Sequence, residues 1–488
     1  MSRPDAGLVR HRTRRPPAAL LVLLALAALG SIAWGLLVPA LQGPDESSHL
    51  GAVSRIAARG ALLPAAREQG LSRELLVTAS EAGFGPLVGN LGARPFWTPL
   101  DERRLRAAED RLGDAADDPV AAPPASPPVQ GTNRNPPLYY AYLALPWRAA
   151  AGSSFIDRVH LARLFNVPLL LATVALTWLI AGALAPGTPW ARPLAAGFVA
   201  LQPQLSFLSG TVNPDVLLVT LFTAFIALAV RTLRTRPSPV LMAALAATAL
   251  AASATHPRGV LLFPVAAIVV LLSPGLGRRH RRPLLALAVV LAGAALLVGG
   301  AYLERTTADG ISAPFDVRQF ASYVWQFYLP RLSFMDPAIG GDYGAADVWV
   351  RTFFGTFGSL EVQFPGWTYD LLGAVALVAL AGFAAALVRH RAVVASRWRT
   401  GVALLVLIVL TVAALHVVAY RTLLIAGDDP IIVGRHLLPL VSVVAVGVAV
   451  AGLALPRRLG RGYAAVVLSG LVLLQLGGLG ITLSRFYG

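Results

Sequence analysis

The feature that most constrains this chain is a succession of apolar runs, each close to the roughly 20 residues a helix needs to cross a bilayer. The first is Ala18–Val38, and ten more follow near Leu161–Leu184, Pro193–Leu208, Val216–Val230, Val240–Ala254, Val260–Leu272, Leu284–Leu303, Leu371–Val388, Val402–Leu424, Ile431–Leu455 and Tyr463–Leu483. A 56% hydrophobic fraction with 14% charged residues leaves too little polar surface for a soluble protein of 488 residues. Inside lipid every backbone polar group must be paired within the protein, and runs of this length satisfy that as helices. The expected fold is therefore an all-α polytopic integral membrane protein with about eleven transmembrane helices.

The arginines orient it. Every one of the 41 Lys+Arg residues is Arg, and the net charge is +16. In a soluble protein that excess would point to nucleic acid. Here it falls in alternate loops: Arg3, Arg10, Arg12, Arg14 and Arg15; Arg192; Arg231, Arg234 and Arg236; Arg278, Arg279, Arg281 and Arg282; Arg389, Arg391, Arg397 and Arg399; Arg457, Arg458 and Arg461. The short loops between hold Asp215, Asp428, Asp429 and only Arg258. The positive-inside rule puts the arginine-rich loops in the cytoplasm, and no nucleic-acid partner is expected. The pattern holds only if the aromatic segment Pro136–Trp147 does not cross. It is short for a span, and Tyr and Trp favour the headgroup level, so it reads as an interfacial helix like Asp45–Ala58 before it.

The resulting plan is a basic cytoplasmic tail (1–17), a first helix read as an uncleaved anchor (18–38), and a long first extracytoplasmic loop with interfacial helices (39–160). Helices two to seven follow (161–303), then a second large outer loop (304–368) and the last four helices (369–488). The chain has no Cys, which excludes disulfides, thiolate chemistry and Cys-ligated metal.

The outer mouths gather the polar chemistry. They present Asp45, Glu46 and His49; Asn135 and Tyr139; Arg158, His160 and Arg163; Asn213 and Asp215; His256 and Arg258; Arg435 and His436. The second outer loop adds Glu361 and an aromatic amphipathic stretch, Phe315–Phe334. Each alone has an ordinary structural reading. Pro44-Asp45 can cap a helix, Asn213-Pro214-Asp215 can do the same, Arg163, Arg258 and Arg435 can snorkel, and the mid-span His416 can be a satisfied core histidine. Together, at one depth on one face, they form a functional-site hypothesis. A carboxylate can take a proton from an attacking hydroxyl, while guanidinium groups hold a phosphate and offset charge growing on it. That chemistry fits transfer of a sugar from a polyprenyl-phosphate donor; a lipid phosphatase, a phosphotransferase or a flippase would use the same groups.

Gly43-Pro44-Asp45-Glu46-Ser47-Ser48-His49 after the first span resembles the acidic signature of the GT-C superfamily of membrane glycosyltransferases, and Asn135-Pro136-Pro137-Leu138-Tyr139-Tyr140 resembles its Pro-Pro motif. Asn213-Pro214-Asp215, Phe353-Phe354-Gly355-Thr356-Phe357-Gly358 with Pro365-Gly366-Trp367, and Gly434-Arg435-His436-Leu437-Leu438-Pro439 are similar to a bacterial family of predicted polytopic membrane proteins common in actinobacterial envelope-polysaccharide loci. The resemblance implies a GT-C-like fold in the bacterial cytoplasmic membrane and an inverting transfer to an envelope glycan acceptor on the outer face. It implies Asp45 as catalytic base, with Glu46 second, and a basic residue at a short outer turn on the donor phosphate. Relatives often carry Lys at that turn. This chain has Thr255-His256-Pro257-Arg258, so the role passes to Arg258 or His256, with Arg435 and Arg163 as further phosphate ligands. His436 stands where an aromatic is more usual. His49, Asn135, Tyr139, Asn213, Asp215, Glu361 and His436 are the remaining substrate-facing candidates. A divalent metal would use Asp45, Glu46 and Asp215. The alternative readings are a polysaccharide or lipid-linked-sugar transporter, which would need charge along the bundle interior, and a scaffold of the envelope machinery.

Overall fold

The computed structural model describes residues 16–60, 71–87, 90–95, 99–113, 119–120, 135–235, 237–274, 315–337, 344–425 and 432–488, with scattered positions between 282 and 297. In chain order the first twelve α-helices are α1 (Ala18–Leu37), α2 (Glu46–Arg59), α3 (Arg73–Glu81), α4 (Pro99–Leu112), α5 (Leu138–Ala149), α6 (Phe155–Leu164), α7 (Val167–Leu184), α8 (Ala191–Ala200), α9 (Pro203–Ser209), α10 (Asp215–Arg234), α11 (Pro239–Ser253) and α12 (Leu262–Leu272). Long helices Gly366–Arg389, Trp398–Ile425 and Gly460–Tyr487 follow, with the shorter Val441–Ala451 between the last two. The strands are two-residue pieces: Leu71–Ser72 pairs antiparallel with Pro119–Val120, and Thr356–Phe357 with Val362–Gln363. The fold is all-α and polytopic.

Seven helices among the described residues are long and apolar enough to cross a membrane: Ala18–Leu37, Phe155–Leu184, Asp215–Arg234, Gly366–Arg389, Trp398–Arg421, Gly434–Ala454 and Arg457–Tyr487. The other four expected spans differ. Val240–Ala254 and Val260–Leu272 form the short apolar helices Pro239–Ser253 and Pro257–Leu272. Pro193–Leu208 is not one helix, because Pro203 has no N–H to donate and its ring clashes with the carbonyl four residues back. Gln202 instead turns outward as a cap, accepting from the Leu205 amide, and α9 starts afresh with Pro203 in its first turn. Most of Leu284–Leu303 lies outside the described residues.

A backbone break inside a bundle is tolerable only where protein groups satisfy it. Here Gln202 Nε2 donates to the Phe353 carbonyl, and Gln204 Oε1 accepts from the Thr356 amide at 2.8 Å. Small residues let the elements approach. A Cβ on Gly210 would stand 2.6 Å from the Gly35 nitrogen and 2.7 Å from Trp34 Cβ, so α1 and the end of α9 cross almost backbone to backbone. Replacing Gly210 with Ala should cost about 1–3 kcal/mol by overpacking and lower the thermal unfolding midpoint of purified protein; an unchanged midpoint would show that the crossing can open without cost.

Two cores result. The large one joins α1, α7, α8, α10 and the C-terminal helices around Trp34, Phe207, Phe222 and Phe225. The second lies in the headpiece, where α2 and α5 pack through Leu50, Val53, Tyr139, Tyr140, Leu143 and Trp147 against Phe155 and Val159 of α6. The aromatic segment is thus a helix, α5, laid on α2. The amphipathic stretch forms a helix, Val317–Tyr328, that docks on the long helix Trp398–Ile425. His416 holds it there: its Nε2 pairs with Tyr328 Oη at 2.8 Å and its Nδ1 with Tyr323 Oη at 3.2 Å. The mid-span histidine is therefore internally satisfied.

Candidate active site

Asp45 occupies the N-cap position of α2, yet its side chain accepts no capping hydrogen bond. Its backbone is left-handed (φ 57°, ψ 16°), a conformation that Asp tolerates better than most residues but that still costs free energy. The helix-cap reading of this residue is thereby corrected: its carbonyl accepts the His49 amide at 3.1 Å, but its carboxylate is left for other work. That carboxylate is half exposed, and Oδ2 lies 3.4 Å from Nη2 of Arg435.

Arg435 arrives from the 3-10 helix Gly434–Leu440. Gly434 is needed there, since a Cβ would run into the Trp349 carbonyl oxygen. The guanidinium is only 13% exposed, and its Nε and Nη1 are buried with no hydrogen-bond partner among the described residues. A buried cation with two unused donors is unusual enough to require an explanation.

Arg258 is differently placed. It pairs with Asp215 Oδ1, donates from Nη1 to the His436 carbonyl at 3.0 Å, and donates from its backbone N and from Nε to His256 Nδ1 at 3.1 and 3.3 Å. His256 Nδ1 is thus an acceptor, so the ring is neutral with its proton on Nε2. Burial and the Arg258 charge both hold this histidine well below its ordinary pKa, in agreement with that tautomer. His49 is also neutral at neutral pH. Burial pushes it down to about 4 against the pull of Asp45 and Asp215. Its Nδ1 pairs with Tyr140 Oη at 2.9 Å, and Asn135 Nδ2 donates to that same oxygen at 3.3 Å. One mouth of the bundle therefore brings together Asp45, His49, Asp215, His256, Arg258, Arg435 and His436, with Asn135 one hydrogen bond behind.

Five expected site residues are redirected. Arg163 is 1% exposed, and all its guanidinium nitrogens are engaged: Nε and Nη2 on Glu46 at 2.8 and 2.6 Å, Nη1 on the Gly35 and Val38 carbonyls, Nη2 also on Pro39. It cannot also hold a phosphate. Glu46, 0% exposed, takes further hydrogen bonds from the Val212 and Gly43 amides at 2.9 and 3.2 Å. It is a locked internal carboxylate rather than a second base. Tyr139 is spent inside as well, donating to Asn166 Oδ1 and accepting from the Asn213 amide. Asn213 in turn bonds the Pro44 carbonyl and the Asp215 amide, so Tyr139 and Asn213 clamp the Asp45 turn instead of facing a substrate. Glu361 belongs to a separate group, bonded to the Ser359 amide and 3.6 Å from Arg485.

The three carboxylates offered for a metal do not make a ligand set, because Glu46 is closed by Arg163 and Asp215 is engaged by Arg258. No group of three or more His, Asp or Glu among the described residues is arranged to hold a metal ion. Two residues were not singled out from sequence. Tyr140, neighbour of Tyr139 in the Pro-Pro stretch, orients His49, and Asn166, wholly buried, links Tyr139 to the Thr211 carbonyl. An amide just before Val167-Pro168 was the signal available for Asn166.

Among solved structures the chain is similar to the archaeal oligosaccharyltransferase AglB from Archaeoglobus fulgidus in complex with an inhibitory peptide and a dolichol-phosphate (TM-score 0.46, 12% identity, 96% of this chain and 55% of that one). It is also similar to ArnT from Cupriavidus metallidurans bound to undecaprenyl phosphate (TM-score 0.35, 15% identity, 96% of this chain and 77% of that one). The chain spans little more than half the length of the oligosaccharyltransferase it matches. No curated protein matches the sequence. Residues 29–444 match the family described as predicted membrane protein (DUF2142), and the chain belongs to that family.

Proposed function

We propose that this membrane protein is a glycosyltransferase that moves a sugar from a polyprenyl-phosphate donor to a glycan hydroxyl at the Asp45 mouth, on the extracytoplasmic face of a bacterial plasma membrane. The observation that carries this reading is the juxtaposition of a half-exposed, uncapped carboxylate with a buried guanidinium that has two unused donors 3.4 Å away. Asp45 removes the proton from the acceptor hydroxyl as its oxygen bonds to the anomeric carbon. The bond from that carbon to the phosphate oxygen breaks, and the electron pair leaves on the phosphate. Arg435 receives the growing negative charge with Nε and Nη1, a task for which the planar fork of arginine is suited. Attack opposite to the leaving phosphate inverts the anomeric centre. Arg258 adds positive field at the same mouth while Asp215, His256 and the His436 carbonyl fix its position, so its role is to shape the site more than to grip the phosphate. A donor whose chain stays in lipid would present its phosphate at this depth.

Arg435→Ala should weaken binding of undecaprenyl phosphate, used as the probe for the donor's lipid phosphate, by about tenfold or more, the scale of a charge-assisted hydrogen bond. Arg435→Lys should restore part of it. Unchanged binding in the alanine variant, measured by thermal stabilisation of purified protein, would remove the phosphate from this site. The sidedness has its own test, made simple by the absence of native Cys. A cysteine replacing Glu102 should react with an impermeant thiol reagent in intact spheroplasts, and one replacing Arg391 should not; the opposite pattern would invert the topology.

A further inference from the structure

At the far end of α10, about 30 Å from Asp215 by the helical rise, a cavity of about 450 Å³ opens between Leu233, Arg234, Pro274, Arg397, Arg399 and Thr400. Three guanidinium groups border one volume, and no carboxylate among the described residues forms an ion pair with any of them. Arg397 donates one N–H to the Leu184 carbonyl, and Arg399 stacks over Trp398 at 5.6 Å. Burial and the charge of Arg234, which lines the same cavity, push the Arg397 guanidinium down.

Arginines at this end of the helices have an ordinary reading as separately solvated, positive-inside charges. Thr400 argues for more. It is 5% exposed and lines the cavity beside Arg397 and Arg399. A largely buried threonine on the wall of a cavity bordered by three arginines can offer its hydroxyl to an acceptor held there. The long helix beginning at Trp398 adds the partial positive charge of its amino end.

We propose that this cavity binds a phosphate-bearing ligand at the membrane face opposite Asp45, with Arg234, Arg397 and Arg399 supplying charge and Thr400 a hydroxyl donor. The chemistry is shared by the headgroup of an anionic lipid and by a free pyrophosphate, and the volume lies in the range of small-ligand sites. The site is independent of the transfer reaction proposed above.

The test uses the full chain in an Arg435→Ala background, so that phosphate captured at the other mouth does not contribute. Thermal unfolding is followed in detergent against inorganic pyrophosphate at constant ionic strength, and in nanodiscs of phosphatidylcholine with and without phosphatidic acid. Saturable stabilisation is expected from at least one source. Pyrophosphate acting in detergent identifies a soluble ligand, and phosphatidic acid acting alone identifies a lipid headgroup. Arg234→Gln with Arg399→Gln should raise the half-saturating concentration about tenfold or more. Thr400→Val, which deletes only the hydroxyl, should raise it by a smaller factor and serves if the double variant does not fold. Absence of stabilisation by both sources, or the same half-saturation in the parent and every folded variant, would overturn the proposal.

Discussion

Asp45→Asn is expected to lose about 10²–10⁴-fold in transfer, the range that general-base catalysis contributes, while folding and donor binding survive. The structure makes this substitution unusually clean. No capping hydrogen bond is lost, since the Asp45 side chain makes none. Asn tolerates the left-handed backbone as well as Asp does. The contact to Arg435 is a single one at 3.4 Å with a half-exposed carboxylate, and a pair of that kind contributes little stability. Removing the negative charge should leave Arg435 freer to take a phosphate, so binding of undecaprenyl phosphate should hold or tighten. The measurement is transfer of label from polyprenyl-phosphate sugars into envelope glycan by membranes carrying parent or variant, normalised to folded protein. Full transfer by Asp45→Asn would end the base mechanism and return the transporter reading to the front.

The transporter reading needs charge along the bundle interior, and the described groups between α1 and the last helix are polar and uncharged. Gln475 and Ser206 both lie beside Gly30, and Ser209 donates to Ser31 at 2.9 Å. None of these carries charge, so they supply no path for an anionic lipid-linked sugar.

How far the sequence reached follows from which forces it displays. Apolar length and arginine placement are read directly along the chain, and they were enough for the all-α polytopic architecture. The break at Gln202-Pro203 was visible as a proline in an apolar run. Its survival inside the bundle depends on Phe353 and Thr356, more than 150 residues away, and no local pattern shows that. The acidic pair Asp45-Glu46 shows the same limit at one-residue resolution. Adjacent carboxylates look interchangeable in sequence. One faces the mouth and its neighbour meets Arg163, because Asp45 turns through a left-handed backbone at the N-cap while Glu46 is the first residue of the helix. Arg163, Arg258 and Arg435 were likewise equivalent candidates until their partners were known: the first is fully bonded, the second fixed by Asp215, and the third retains unused donors. Tyr139 and Asn213 looked substrate-facing because polar residues at a membrane mouth often are. Their hydrogen bonds to each other and to Asn166 and Pro44 are long-range contacts with no local signature.

The largest effect on folding should come from Arg163→Ala. Its removal would strand Glu46, 0% exposed, as an uncompensated buried charge beneath the turn that carries Asp45. Breaking a buried pair from one side costs about 3–5 kcal/mol, a large part of the 5–15 kcal/mol that holds a typical domain. The purified variant should unfold at much lower temperature than the parent, or fail to accumulate. Replacing both partners, Arg163→Met with Glu46→Leu, should recover much of that loss, because the desolvation penalty goes with the charges. The pair also sets an acid limit. Burial alone would raise the Glu46 carboxyl, but the Arg163 charge and hydrogen bonds from Arg163, Val212 and Gly43 outweigh it and hold the group below its ordinary value of 4.5. A depressed folded-state pKa means the stabilisation is complete above the unfolded value and disappears as pH falls through the lower folded value. Thermal stability of the parent should therefore decline as pH drops below about 4.5, more steeply than that of the double variant, which keeps the Asp215–Arg258 pair but not this one. An Arg163→Ala protein as stable as the parent, or a double variant with the parent's acid slope, would show that the Glu46–Arg163 pair does not hold the turn that presents Asp45.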